Sequence, residues 1–227
     1  MPTPICYASK DIVRVRIATL TQSGAPRNGA GNGYVTDATV SVQRTPRVDA
    51  GQETTQRNGG GVVCQYTSDC DTVVGQDLTV ALCTNDLKLI SMMTGAYAPT
   101  DGTGTMGYLE RGLNDGCPDP VCFEWWSVAW DGGAQAVISG APQYFHRVVP
   151  WVTFVHDQTT YERGLQVVTL KGKGNENGSI TVNGPYNDWP TPIVTGDGLK
   201  DRSFGEWREA TVPAAACATI TVTSSAS

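Results

Sequence analysis

A chain of 227 residues, 40% of them hydrophobic, can bury one sizeable core, which excludes wholesale disorder and makes a single domain the expectation. Charged residues reach only 17%, below the roughly 25% of ordinary soluble domains, and 26 Gly with 13 Pro favour frequent turns over long helices. Sixteen Lys and Arg against 22 Asp and Glu give a net charge of −6, which excludes the basic footprint of a domain that grips phosphate but not a surface that DNA slides past.

No apolar run approaches the roughly 18–20 residues that cross a bilayer, so no membrane partner is expected. The opening Met1-Pro-Thr-Pro-Ile-Cys6 has no basic segment followed by an apolar one, and export is not expected. Seven cysteines (6, 64, 70, 83, 117, 122 and 217) are then expected to be mostly free thiols in a reducing cytosol.

Residues 11–20 alternate Val13, Val15 and Ile17 against Arg14 and Arg16, the period of a strand with one wet or subunit-facing side. A Gly-rich break at 24–33 leads to a second alternating, β-branched run over 34–44, together a long hairpin. Residues 46–61 are polar, Gly-rich and without periodicity; a loop this long inside a domain is usually functional, so it is the candidate interaction arm. Strands are predicted at 62–66 and 78–83. A helix over about 84–94 follows, capped by Thr84 or Asn85, with Leu87, Ile90 and Met93 or Thr94 on one face and Gly95 as the stop. Further strands are predicted at 121–130, at 144–155 with Pro150 on an edge or bulge, at 165–170 and at 218–224; 172–200 reads as loop. The sum is a mainly β domain with one packed helix.

Several motifs have a plainer reading than their chemical one. Gly102-Thr-Gly-Thr-Met-Gly107 spells a dinucleotide-binding pattern, but no strand-then-helix unit frames it, and it reads as a turn. The cysteines lack the paired short spacings of structural zinc, so neither metal nor cofactor is expected. A nucleophilic triad would have to use His146 or His156, and no Gly-x-Ser-x-Gly elbow is present. Glu110, Glu124, Glu162 and Glu206 are dispersed carboxylates with nothing local to pair them, so no catalytic residue is assigned. Trp125, Trp126 and Trp130 fit a core, a subunit interface or a sugar-stacking face, and Asn177-Gly-Ser179 reads as a chance glycosylation sequon.

The order of features over roughly the first two-thirds resembles the tail tube proteins of long-tailed, non-contractile bacteriophages. It is carried by Arg14-Val-Arg-Ile17, Gly24-Ala-Pro26, Tyr34-Val-Thr-Asp-Ala-Thr-Val40, Thr45-Pro-Arg47, Gly51-Gln-Glu53 and Asn58-Gly-Gly-Gly61. Cys64-Gln-Tyr66, Leu82-Cys-Thr-Asn-Asp-Leu87, Met93-Thr-Gly95, Gly107-Tyr-Leu109, Phe123-Glu-Trp-Trp-Ser127 and Phe145-His-Arg-Val-Val-Pro150 continue it. The resemblance implies a β-sandwich or barrel-like subunit with a flanking helix, forming homohexameric rings that stack into a tube. Its implied partners are further copies of itself, the tape-measure protein, the tail terminator, the baseplate or distal tail proteins, and phage DNA in transit. Assembly in the bacterial cytoplasm and residence in the virion tail follow from the same likeness. By this analogy Asp49, Gln52, Glu53, Arg57 and Asn58 reach the next ring, and Arg14, Arg16, Asp37, Thr39 and Ser41 are the lumen or ring-strand candidates. The composition suggests an acidic wall that repels DNA. The alternative is a β-sandwich carbohydrate-binding module built on the tryptophans and Gly-rich loops.

Overall fold

Val15 and Ile17 leave one side of the first strand and Arg16 and Ala18 the other, yet all four are buried. This double burial organises the fold. The computed structural model describes residues 7–224 except 62, 84, 85, 103, 113, 162–165, 181, 182, 191–198, 200, 215 and 216. In chain order the elements begin with β1 (Ala8–Thr19), β2 (Gly29–Thr36), β3 (Thr39–Asp49), β4 (Glu53–Arg57), β5 (Val63–Ser68) and β6 (Thr72–Leu82). The helix α1 (Leu87–Thr94) and the short β7 (Thr100–Asp101) and β8 (Gly104–Thr105) precede β9 (Val121–Asp131). Then come β10 (Ala134–Gln135), β11 (Val137–Ile138), β12 (Ala141–Pro142), β13 (Tyr144–Tyr161), β14 (Gln166–Asn175), β15 (Gly205–Glu209) and β16 (Ala218–Val222).

The protein is mainly β, with one large antiparallel sheet and one helix. The sheet runs β16-β2-β1-β9-β13-β14-β6-β3, with β10 added on β9 and β15 on β13. It curls so that Ile12 of β1 and Val42 of β3 reach the same core. That core gathers Val15 and Ile17, Leu78, Val80 and Leu82, Phe123 and Trp125, Val152 and Phe154, and Val168 and Leu170. Leu89, Ile90 and Met93 of α1 close it. Eight residues make a marginal helix in water, so packing sustains this one. Asp86, rather than Thr84 or Asn85, which lie outside the described residues, caps it by accepting from Leu89 N at 3.1 Å. Gly95 stops it at φ 65°.

A second core lies on the other face of β1, β9 and β13, where Ala18, Leu20, Cys122 and Val148 meet Ile180, Trp189, Leu199 and Val222. Strands buried on both sides read as near-continuous apolar runs, as Val121–Ala129 does. Asn177 of the supposed sequon is buried and ties the cover down, donating to Gly24 O at 2.9 Å and Pro150 O at 3.0 Å. Gly24, at φ +90°, leaves no room there for a Cβ beside Asn177. Pro150 falls at a register shift between Val149 and Val152, as expected of a proline in a strand.

Three predicted elements differ. The run 34–44 is not one strand: it breaks at Asp37 and Ala38, where Thr36 Oγ1 accepts from Ala38 N at 3.0 Å. Its first part pairs with β1 and its second with β6. Residues 46–61 are not a loop, because 46–49 finish β3 and 53–57 are β4, paired with β5. Their backbone pairs without an apolar period since both faces of that hairpin meet water. Within 172–200, residues 172–175 extend β14. Gly102–Gly107 spans the turn and second strand of a minute β7–β8 hairpin, with Thr103 outside the described residues.

Candidate functional site

The strands β13, β14, β6 and β3 form an antiparallel sheet whose registers set out which residues share a face. Inward go Phe154 and Gly172, then Leu170, Val80 and Val42; a Cβ on Gly172 would stand 2.6 Å from the Phe154 ring. Outward, nothing described covers the rows Gln158–Thr169–Ala81–Ser41, Val155–Lys171–Thr79–Gln43 and Thr153–Lys173–Asp77–Thr45. Every one of these side chains is exposed or half-buried.

Among the described residues, both outer edges of this sheet are open. The sheet ends at β3, and β13 pairs with β9 no further than Val152, so the backbone of Thr153–Tyr161 has only β14 beside it among the described residues. Three successive antiparallel pairings leave β3 and β13 running in opposite directions.

β3 and β6 run on past the core, still paired from Thr45–Asp77 to Asp49–Thr72, and the β4–β5 hairpin continues them. The structure brings Asp49, Gln52, Glu53, Arg57 and Asn58 together on this arm, all exposed. Glu53 accepts from the Tyr66 hydroxyl at 3.1 Å, and Arg57 donates to Gly61 O at 2.9 Å across the turn that Asn58 opens. Val48, Val63, Tyr66, Val73 and Val74 are 45–58% exposed on or beside it. A two-stranded ribbon is marginal alone in water, and among the described residues no layer packs on this one.

The ring-strand candidates do not share a face. Ser41 lies on the uncovered face, Thr39 is buried, and Asp37 sits in the exposed turn, 3.4 Å from Arg14. Arg16 is no wet-side residue: it is 4% exposed, beneath Tyr186 and Asp188. Its Nε donates to Glu124, its register partner on β9, and Nη1 and Nη2 donate to half-exposed Asp188 at 2.5 and 2.9 Å. The Tyr186 and Trp126 rings stack over the guanidinium at 4.0 and 5.1 Å. Burial works against its charge, but Glu124 and Asp188 outweigh that and hold its proton more tightly than in a free arginine.

Glu124 also accepts from Trp189 Nε1 at 2.8 Å, and Glu209 accepts from Trp126 Nε1. His146 lies stacked on Trp126 at 4.0 Å, its Nδ1 3.1 Å from Glu209 and its Nε2 3.8 Å from Glu124. For Glu209, burial raises the pKa, but the imidazole and the two indole donors outweigh it and leave the carboxyl below its ordinary value. A depressed carboxylate lends stability above the ordinary glutamate range and loses it as pH falls through the lowered value. The gap in unfolding free energy between the native chain and Glu209→Gln is therefore expected to shrink from about pH 5 downward. Urea titrations at pH 6 and below check this, and a constant gap would contradict it.

Sequence reasoning missed Thr79, Thr153, Lys171 and Lys173 on the uncovered face, though alternation over 166–175 carried the signal. The carboxylates Glu110, Glu124 and Glu206 belong to three separate contacts, with His156, Arg16 and Arg147 respectively, while Glu162 lies outside the described residues. Cys70, Cys83, Cys117, Cys122 and Cys217 are free thiols. No protein-family model matches the chain, and a search of curated proteins finds no significant match.

Proposed function

We propose that the chain is a structural subunit of a homomeric ring, the tail tube protein of a long-tailed, non-contractile bacteriophage. The observation that carries this reading is the β13–β14–β6–β3 sheet, apolar on one face, polar and uncovered on the other, with two open edges of opposite direction. Open edges template pairing with further chains unless they are blocked. A β3 edge set against the next copy's Thr153–Tyr161 edge continues the antiparallel order, and repetition closes a barrel with the polar face inside. The arm, which exposes Val63 and Tyr66 on an otherwise polar ribbon, is the natural contact to the next ring. In this reading the tube encloses the tape-measure protein, conducts DNA, and meets terminator and distal tail proteins at its ends.

The uncovered face is rich in hydroxyls and carries Lys171, Lys173 and Arg47 beside Asp77 and Asp157. The acidic excess of the chain is thus not concentrated there, and charge repulsion of DNA is not part of the argument. Of the tryptophans behind the carbohydrate-binding alternative, Trp125 and Trp126 are at most 4% exposed, while Trp130 is half-buried with Lys10 over its ring, which weighs against a continuous stacking platform. Concentrated protein viewed by negative-stain electron microscopy, with light scattering on the same sample, is expected to show rings or hollow tubes. A monodisperse monomer at every concentration would overturn the proposal.

A further inference from the structure

On the core-facing side of β13, away from the uncovered face, the side chains of the open-edge segment Thr153–Tyr161 take part in a chain of polar groups. The register of β13 against β14 passes from His156–Leu170 to Gln158–Thr169, leaving Asp157 as the extra residue of a bulge. Residues three apart on a regular strand point to opposite faces. The extra residue cancels that, so His156 and Thr159, opposite Leu170 and Val168, share the core-facing side. There His156 Nδ1 is 2.6 Å from Glu110 Oε1 and Nε2 is 2.6 Å from Thr159 Oγ1. A carboxylate only accepts, so Nδ1 carries the hydrogen, and in the neutral imidazole the Nε2 lone pair faces the hydroxyl.

Tyr108 stands edge-on to His156 at 6.1 Å. Burial first, then the neighbouring Tyr161 and Glu110, raise its pKa and outweigh the lowering effect of Thr159, which keeps the phenol neutral. A cavity of about 260 Å³ opens beside His156 and Glu110, lined also by Ala96, Tyr108, Arg111 and Phe154; Thr159 is not part of its lining and reaches it through the imidazole. The guanidinium Nε of Arg111 is buried without a hydrogen-bond partner among the described residues. Carboxylate on imidazole on hydroxyl is the arrangement that makes an alcohol nucleophilic, and the cavity is below the roughly 300–1,000 Å³ of drug-sized sites.

We propose that Thr159 is a nucleophile that takes the acyl group of a small ester, with His156 as general base and Glu110 as its positioning residue. As Oγ1 bonds the ester carbonyl carbon, its proton passes to Nε2; the ester C–O bond then breaks and the leaving oxygen takes that proton. Water repeats the cycle on acyl-Thr159, releasing a carboxylic acid and restoring the hydroxyl. The Tyr108 hydroxyl and Arg111 Nε are the donors available to the oxyanion.

The test is p-nitrophenyl acetate given to the full chain, with released p-nitrophenolate followed against time and the acetyl group located by peptide mass spectrometry. One acetyl on Thr159 is expected, retained in Thr159→Ser and absent in Thr159→Ala and His156→Gln. Glu110→Gln should slow acylation by about tenfold or more and displace the pH–rate profile. Tryptophan fluorescence reports the fold of each variant. Acetyl found only on lysines, or a Thr159→Ser protein that folds and stays unlabelled, would overturn the assignment. Because the readout is chemical and needs no polymer, it fails separately from the tube reading.

Discussion

Arg16→Met is expected to destabilise the subunit by about 3–5 kcal/mol, because it strands the Glu124 carboxylate in a site from which water is excluded. Methionine fills much of the aliphatic volume of arginine, so the loss is electrostatic in origin. Glu124 is fully buried and, among the described residues, would keep the Trp189 indole as its one side-chain hydrogen-bond donor, with His146 Nε2 3.8 Å away. For a chain of 227 residues this corresponds to a fall in Tm on the order of 10 °C. Arg16→Met combined with Glu124→Gln is expected to be more stable than Arg16→Met alone, since the amide still accepts from Trp189 and no buried charge remains unpaired. Urea unfolding followed by tryptophan fluorescence, taken as a double-mutant cycle, measures the coupling. Additive losses would show that the pair is not the electrostatic unit its geometry implies. Asp188 is a weaker lever: half-exposed, it trades its contact with Arg16 for water, and Asp188→Asn should cost about 1 kcal/mol or less.

The same arginine shows where sequence reading stops. Alternation of Val15 and Ile17 with Arg14 and Arg16 located β1 correctly, and the apolar run 121–130 located β9. Which side of β1 meets water, however, depends on a cover more than 150 residues away in the chain, rich in Gly, Pro and Asn and lacking any periodicity to announce a packed layer. Glu124 sits inside the most apolar strand of the protein, and its register with Arg16 exists only once β1 and β9 pair. β15 is too short to signal itself. The arm stayed hidden for the opposite reason: Glu53–Arg57 is polar throughout because both its faces are exposed, so a paired strand reads as loop. The Glu110–His156–Thr159 chain depends on a bulge, and a strict period of two sends His156 and Thr159 to opposite faces. Local signals survived where local physics decides, as in Gly95 ending α1 and Pro150 falling at a register shift.

Excising the arm is expected to leave the fold intact and abolish polymerisation. Asp49 and Thr72 are register partners, so residues 50–71 can be replaced by a two-residue Asn-Gly turn of the kind that joins adjacent antiparallel strands. Among the described residues, none of those deleted contributes to either core, which limits the expected change in unfolding free energy to about 1 kcal/mol. Exposed Val63 and Tyr66 go with them, and these are the side chains whose burial against another copy would favour stacking. Rings, if they close through the β3 and β13 edges, should persist, because Thr39–Asp49 and Thr153–Tyr161 are untouched. The separation of the two contacts is thus itself a prediction: electron microscopy of the shortened protein should show single rings without tubes. A gentler variant, Tyr66→Ser with Val73→Thr, should raise the critical concentration for tube formation by about tenfold or more, equivalent to about 1.4 kcal/mol per contact set. Tubes of ordinary appearance from the shortened chain would remove the arm from the stacking interface and leave the open sheet edges as the sole basis for assembly.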